Sequence, residues 1–154
     1  QAPPQDTRKT RCSMSRARSR ARQLALQALY QWHVTRQDSA EICAQFAAEQ
    51  DLRQAEVEYF QELLKNIALH HAELDALFAP LLDRPLDEVD PVECAILRIG
   101  AYELQHRPDI PYRVVINEAL ELAKLFGSAH SHKYINGILD KLARQLRAAE
   151  LAGP

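Results

Sequence analysis

The sequence predicts an all-α fold, and three observations favour that class. Only four glycines occur in 154 residues, so few positions are suited to the turns that require this residue. No stretch alternates β-branched and polar residues as a half-buried strand would. Apolar residues instead recur every three or four positions along almost the whole chain, which is the period of helices that bury one face.

The first predicted helix begins near Ser15 and ends near Val34, with Ala25, Leu29 and Trp32 on one face. The residues before it include two prolines and have no helical period. Residues 1–14 are therefore predicted to form a flexible, disordered basic arm, followed by a single helical domain over residues 15–150.

The second predicted helix is short, from Ser39 to Glu49, and the third covers residues 54–81. Apolar or aromatic side chains follow each other in the third helix at steps of three and four: Val57, Phe60, Leu64, Ile67, His71, Leu74, Phe78 and Leu81. Such a stripe is typical of a helical bundle. Pro80 and Pro85 are expected to end this helix.

The fourth helix is predicted to begin at Asp90. This residue is a suitable N-cap, Pro91 suits the first helical position, and Glu93 suits a capping box. The helix should end near His106, before Pro108. The proline-rich segment 80–91 is expected to separate two helical sub-bundles.

Two more helices complete the chain. The fifth is predicted from Tyr112 to Phe126, with Gly127 as its C-terminal cap. The sixth is predicted over residues 131–147, with four apolar side chains facing inward: Ile135, Ile138, Leu142 and Leu146.

Composition excludes several classes of function. The three cysteines are scattered without metal-ligand spacing, which favours a reducing, cytoplasmic location and no metal site. No apolar run approaches the ~20 residues of a membrane helix. Four glycines cannot form a phosphate-binding loop or dinucleotide motif, and Cys94 has no nearby histidine, so a buried, inert thiol is expected there. The sequence therefore predicts neither an enzyme nor a bound cofactor.

Charge is distributed unevenly along the chain. The net charge is −2, but residues 1–22 hold seven basic side chains and one acidic one, so this segment is +6 and the rest is −8. A basic segment on an acidic body favours binding to a polyanion, because its cations release counterions from phosphates. A merely solvated cationic end is the alternative.

Several segments resemble the NusB family in the same order along the chain. They are residues 25–32, 95–104, 110–112, 116–119, 122–124 and 131–141. The resemblance covers roughly residues 16–143. It implies two packed three-helix bundles without catalytic activity, and a role in transcription antitermination of ribosomal RNA operons. The implied partners are boxA-type single-stranded RNA, the ribosomal protein NusE and, indirectly, transcribing RNA polymerase.

The resemblance assigns RNA contacts first to the arginines of the opening helix, whose guanidinium groups pair with phosphates and stack on bases. Arg16, Arg18, Arg20 and Arg22 are two positions apart, so they do not all lie on one helical face. Tyr30 and Glu93 match positions where contacts to RNA or NusE are expected, although a core aromatic and a capping acid are alternatives. The predicted RNA-binding residues are Arg16, Arg18, Arg20, Arg22, Tyr30, Lys133 and Tyr134, and the predicted partner-binding residue is Glu93.

Three further polar residues carry expectations. Asn117 and Asn136 lie inside predicted helices, where hydrogen bonds between helices are the favoured explanation. His130 departs from the acidic or small polar residue expected before Ser131. If it lies beside the RNA, the missing negative charge should strengthen binding slightly.

Two other functions remain open at this point. The chain resembles the NusB-like domain that precedes some RNA cytosine methyltransferases, and a purely structural helical dimer is the third possibility. Self-association without RNA affinity would favour the structural dimer over the two RNA-binding functions.

Overall fold

The computed structural model describes residues 7–153, with side chains from Arg16 onward. Within this range the chain is helical and contains no strand, which confirms the all-α prediction. Two short 3₁₀ turns, Ala79–Leu81 and Leu86–Glu88, separate its two halves. The helices are α1 (Thr7–Thr35), α2 (Ser39–Glu49), α3 (Gln54–Phe78), α4 (Pro91–His106), α5 (Tyr112–Phe126), α6 (Ser131–Leu146) and α7 (Ala148–Ala152).

Helix α1 begins at Thr7, well before the predicted start near Ser15. Residues 7–14 include arginine, lysine and methionine, which are good helix formers, and no proline. Helical propensity therefore extends the helix where an apolar period is missing. Residues 1–6 lie outside the described range, and the flexibility of residues 1–14 stays a prediction.

The helices form two packed three-helix bundles, as expected. Helices α1, α2 and α3 pack on one another, as do α4, α5 and α6, and α4 joins the bundles through contacts with α1 and α3. Every residue of α4 from Cys94 to Leu104 is buried. At Gly100 an added Cβ would lie 2.8 Å from Cδ2 of Leu139, so glycine permits the close approach of α4 and α6.

The start of α4 follows the predicted pattern at Asp90 and Pro91, but the Glu93 side chain does not close the predicted capping box. The Asp90 carboxylate accepts hydrogen bonds from the backbone N–H groups of Val92 and Glu93 at 3.0 and 3.2 Å. Pro91 occupies the first turn. Burial raises the pKa of the Glu93 carboxyl group, and the smaller effect of the Ser131 hydroxyl, at the start of α6, lowers it.

The end of α4 is satisfied by a side chain from far along the sequence. Arg147 follows α6, is 7% exposed, and bonds Glu150 at 2.6 Å. Its guanidinium donates to four backbone carbonyls at and just after the end of α4, where carbonyls lack partners within the helix. These belong to Leu104, Ile110 and Arg107, each at 2.9 Å, and to Glu103 at 3.1 Å. Those of Glu103 and Arg107 also accept a backbone N–H.

Candidate nucleic-acid interface

One exposed face of α1 connects its basic end to Tyr30. Residues at steps of four and three share a helical face, and five of them form what we call the α1 stripe: Arg16, Arg20, Gln23, Gln27 and Tyr30. Arg16, Arg20, Gln27 and Tyr30 are exposed, and Gln23 is half-buried. The stripe therefore presents two guanidinium groups, two amides and one aromatic ring to solvent.

Arg20 is only weakly held by the rest of the protein. Its side chain is 50% exposed and its Nε lies 3.9 Å from the Glu56 carboxylate on α3. The Glu56 side chain is 12% exposed, but an ion pair at this distance, with its arginine half in solvent, contributes little to stability. The guanidinium can consequently turn toward a phosphate at small cost.

Arg18 lies on the other side of α1, in a cleft between α1, α3 and the end of α4. Its Nη2 lies 3.7 Å from the Asp109 carboxylate, and its guanidinium lies over the Tyr59 ring at 5.6 Å. Arg107 lies over the same ring at 5.2 Å and pairs with Glu62 and Asp109. Carboxylates thus already neutralise these cations, and a phosphate would have to compete with them.

Arg107 was not among the residues predicted from the sequence. It lies 89 positions after Arg18, outside the basic N-terminal segment, and only the packing of α4 against α1 and α3 brings the two together. Neither charge patterning nor helical spacing identifies such a pair.

The structure corrects the role predicted for Arg22, because its guanidinium is buried. Arg22 is 2% exposed, its Nε donates to both Glu103 carboxylate oxygens at 3.2 and 2.9 Å, and Nη1 lies 3.5 Å from Glu118. The Tyr59 hydroxyl also donates to Glu103. Burial raises the pKa of Glu103 above its ordinary value, and Arg22 opposes that rise. Arg22 therefore holds α1 against α4 and is inaccessible to RNA in this conformation.

Tyr30 borders an apolar groove at the far end of the stripe. Its ring is 43% exposed. The groove has a volume of about 490 Å³, and its walls include Phe46, Val92 and Phe126. Glu93 follows Val92 on α4 and is half-buried, and burial followed by the charge of Asp90 raises the pKa of its carboxyl group. Tyr30 lines the groove, whereas Glu93 follows the groove residue Val92 without lining the groove itself.

Lys133 and Tyr134 differ in accessibility although they are neighbours on α6. Lys133 is exposed, whereas Tyr134 is half-buried and the Arg84 guanidinium lies over its ring at 5.1 Å. The Tyr134 hydroxyl is buried close to Asp83 but forms no hydrogen bond of good geometry. One face of this ring is therefore covered, and Lys133 is the more available of the two.

Asn117 and Asn136 do not bridge helices as expected. Both are exposed, and neither side chain forms a hydrogen bond within the part of the chain that the structure describes. His130 is exposed immediately before α6 and makes no side-chain capping bond. These three polar side chains are accessible to a binding partner.

The described residues show no arrangement typical of metal binding or thiol catalysis. They contain no group of three or more histidine, cysteine, aspartate or glutamate residues able to hold a metal ion. Cys94 is buried, and burial raises the pKa of its thiol to about 11, so the thiolate is scarce at neutral pH. No helix in residues 7–153 is long and apolar enough to cross a membrane.

Comparison with known proteins identifies close relatives. The sequence model of the NusB family matches residues 19–144. A transcription antitermination protein NusB of Nitrosococcus oceani is 58% identical over 137 residues, covering 89% of this chain and 92% of the relative. A protein of that name from Yersinia enterocolitica is 53% identical over 131 residues, covering 85% of this chain and 95% of the relative.

Two solved structures share the fold. NusB of T. maritima matches with a TM-score of 0.78 and 28% identity, covering 88% of this chain and 96% of that chain. A crystal structure of antitermination factors NusB and NusE in complex with dsRNA matches with a TM-score of 0.73 and 25% identity. That match covers 84% of this chain and 98% of the solved chain.

Proposed function

Because this chain belongs to the NusB family, we propose that it is a non-enzymatic, RNA-binding transcription antitermination factor that works with NusE. Its RNA would be a boxA-type single-stranded element, and the complex would act on transcribing RNA polymerase indirectly. Residues 15–150 would act as one domain in the cytoplasm, preceded by the basic arm 1–14. The exposed α1 stripe is the observation that carries this proposal.

The stripe suits single-stranded RNA because it combines cations with an exposed aromatic ring. Arg16 and Arg20 would pair with phosphates, and Tyr30 would stack on an unpaired base. Lys133 would add a phosphate contact, while Arg18 would contribute after exchanging Asp109 for a phosphate. Arg22 would position the stripe from the core. Tyr134 would have a lesser role in RNA binding, because one face of its ring is covered by Arg84.

The groove beside Tyr30 suits a protein partner. Its walls include apolar side chains, and Glu93, which follows the groove residue Val92, would supply a carboxylate able to pair with a basic residue of that partner. We assign this surface to NusE, which a relative of similar fold binds together with RNA. Self-association through the same groove is the alternative, and it would appear as a mass that rises with protein concentration.

The test is fluorescence anisotropy of a labelled boxA-type RNA, a scrambled RNA and a duplex of the same sequence, with and without NusE. We expect preferential binding to single-stranded boxA RNA, strengthened by NusE and weakened by salt. Arg16→Gln with Arg20→Gln should reduce affinity, whereas Arg144→Gln, at an exposed arginine of α6, is the matched control.

Equal, weak binding to all three RNAs regardless of NusE would overturn the proposal. That outcome together with a concentration-dependent mass would favour the structural dimer. Selective binding to methyltransferase substrate RNA would favour the enzyme-domain alternative, although the relatives from Nitrosococcus oceani and Yersinia enterocolitica are named as antitermination proteins.

A further inference from the structure

A second cleft lies on the side of α1 away from Tyr30. Its volume is about 580 Å³, within the range of small-molecule sites. Tyr30 and Trp32 are two positions apart and so project about 200° apart around the helix, which separates this cleft from the α1 stripe. It is lined by Trp32, His33, Arg36, His71, Leu86, Asp87, Cys94 and Arg98.

A buried guanidinium lies in the wall of this cleft. Arg98 is 6% exposed, and its Nε and Nη2 each donate to the Asp75 carboxylate at 2.9 Å. Its Nη1 has one contact among the described residues, with His33 Nδ1 at 3.4 Å. Because Nη1 carries two N–H groups, a donor remains for an acceptor in the cleft.

A second cation lines the same cleft. Arg36 is exposed and forms no ion pair with any residue whose side chain the structure describes. Its φ of 61° lies in the left-handed region, an uncommon conformation for arginine. Burial, then the charges of Arg98 and Arg36, lower the pKa of His33.

The remaining walls are mainly apolar. Leu86 and Cys94 offer an aliphatic side chain and a protonated thiol, and Trp32 offers part of its indole ring. One face of the indole is occupied by Arg98 at 5.6 Å, and His71 meets it edge-on at 5.3 Å. A ligand would therefore pack against the free edge of the indole rather than stack on its face.

We propose that this cleft binds a small anion with an apolar body, an aromatic carboxylate or an aromatic phosphomonoester. The anionic group would lie between Arg98 Nη1 and Arg36, and the apolar body would lie against Leu86 and Cys94. Asp87 lines the same cleft, and its carboxylate would oppose the anion. The site is independent of the RNA-binding proposal, because it uses none of the stripe residues.

The single tryptophan of the chain makes occupancy measurable. Trp32 fluorescence would be titrated with benzoate, phenyl phosphate and neutral benzamide on the full chain. We expect saturable changes with one or both anions and none with benzamide. Tighter binding of phenyl phosphate assigns the phosphomonoester class, and tighter binding of benzoate assigns the carboxylate class.

Three variants connect the signal to the cleft. Arg36→Asn keeps a residue that tolerates the left-handed conformation and should weaken binding about threefold, while Asp87→Asn should strengthen it about twofold. Arg144→Gln should change nothing. Equal affinity for benzoate and benzamide, no saturable signal up to millimolar ligand, or affinities unaffected by Arg36→Asn and Asp87→Asn would each overturn the proposal.

Discussion

Replacing Arg22 with methionine would leave the Glu103 carboxylate in the core without its ion partner. Glu103 is 1% exposed, so water cannot replace the guanidinium. Breaking a buried ion pair by removing one partner costs about 3–5 kcal/mol. At about 2–4 °C per kcal/mol for a chain of this size, Tm should fall by about 6–20 °C. Replacing Glu103 with leucine as well should recover much of this loss, because no buried charge then remains.

The loss of stability caused by Arg22→Met should depend on pH in a defined direction. Burial raises the pKa of Glu103 above its unfolded value, and removing Arg22 should raise it further. The folded variant then holds a proton that the unfolded chain releases, so its stability falls as pH rises from the unfolded pKa, about 4.3, to the folded pKa. The deficit relative to the parent should be small at acidic pH and largest above neutrality.

Urea unfolding followed by helical circular dichroism, at acidic and mildly alkaline pH, measures this effect. RNA anisotropy on the folded variant separates stability from binding, since Arg22→Met should keep RNA affinity close to that of the parent while Arg20→Gln lowers it. A variant as stable as the parent at alkaline pH would refute the buried-pair argument. A folded variant that loses RNA affinity as strongly as Arg20→Gln would contradict the conclusion that the Arg22 guanidinium is inaccessible to RNA.

Four other substitutions test particular contacts. Arg147→Met should destabilise the protein by about 2–4 kcal/mol in urea, because it removes the donor to the carbonyls of Leu104 and Ile110 and a second hydrogen bond at Glu103 and Arg107; a loss below 1 kcal/mol would contradict this. Gly137→Ala should stabilise by about 0.5–1 kcal/mol, since nothing lies within 4 Å of the added Cβ, whereas Gly100→Ala should destabilise by about 1–3 kcal/mol through contact with Leu139; the reverse order of the two melting temperatures would refute the packing argument. His130→Asp should weaken boxA RNA binding in anisotropy by adding negative charge beside Lys133, and unchanged affinity would place His130 away from the RNA.

Local signals in the sequence predicted most of the helices. The bounds of α2 and α5 agree with the predicted residues, because caps and prolines act within one turn of the helix end. Asp90 likewise caps α4 as its position before Pro91 indicates. The start of α1 was wrong because helix propensity, rather than an apolar period, determines it.

Contacts between distant segments were not predictable in this way. Arg22 and Glu103 are 81 positions apart, and Arg147 and Leu104 are 43 apart. Which arginine is buried depends on whether a carboxylate or carbonyl from another helix faces it, and one sequence does not determine that pairing. The cleft beside Trp32 depends in the same way on residues from α1, α3, α4 and the turn at Leu86–Glu88.

The burial of Arg22 also reduces the number of arginines in the basic segment that should contact phosphates. Positions two apart on α1 face opposite sides, so Arg16 and Arg20 point outward while Arg18 and Arg22 turn toward α3 and α4. For single-stranded RNA, each phosphate contact contributes about −0.7 to the slope of log affinity against log salt. Arg16→Gln with Arg20→Gln should therefore make the slope less negative by about 1.4, and Arg22→Met should leave it unchanged. A slope less negative by about 0.7 for Arg22→Met would mean that Arg22 leaves Glu103 to reach the RNA.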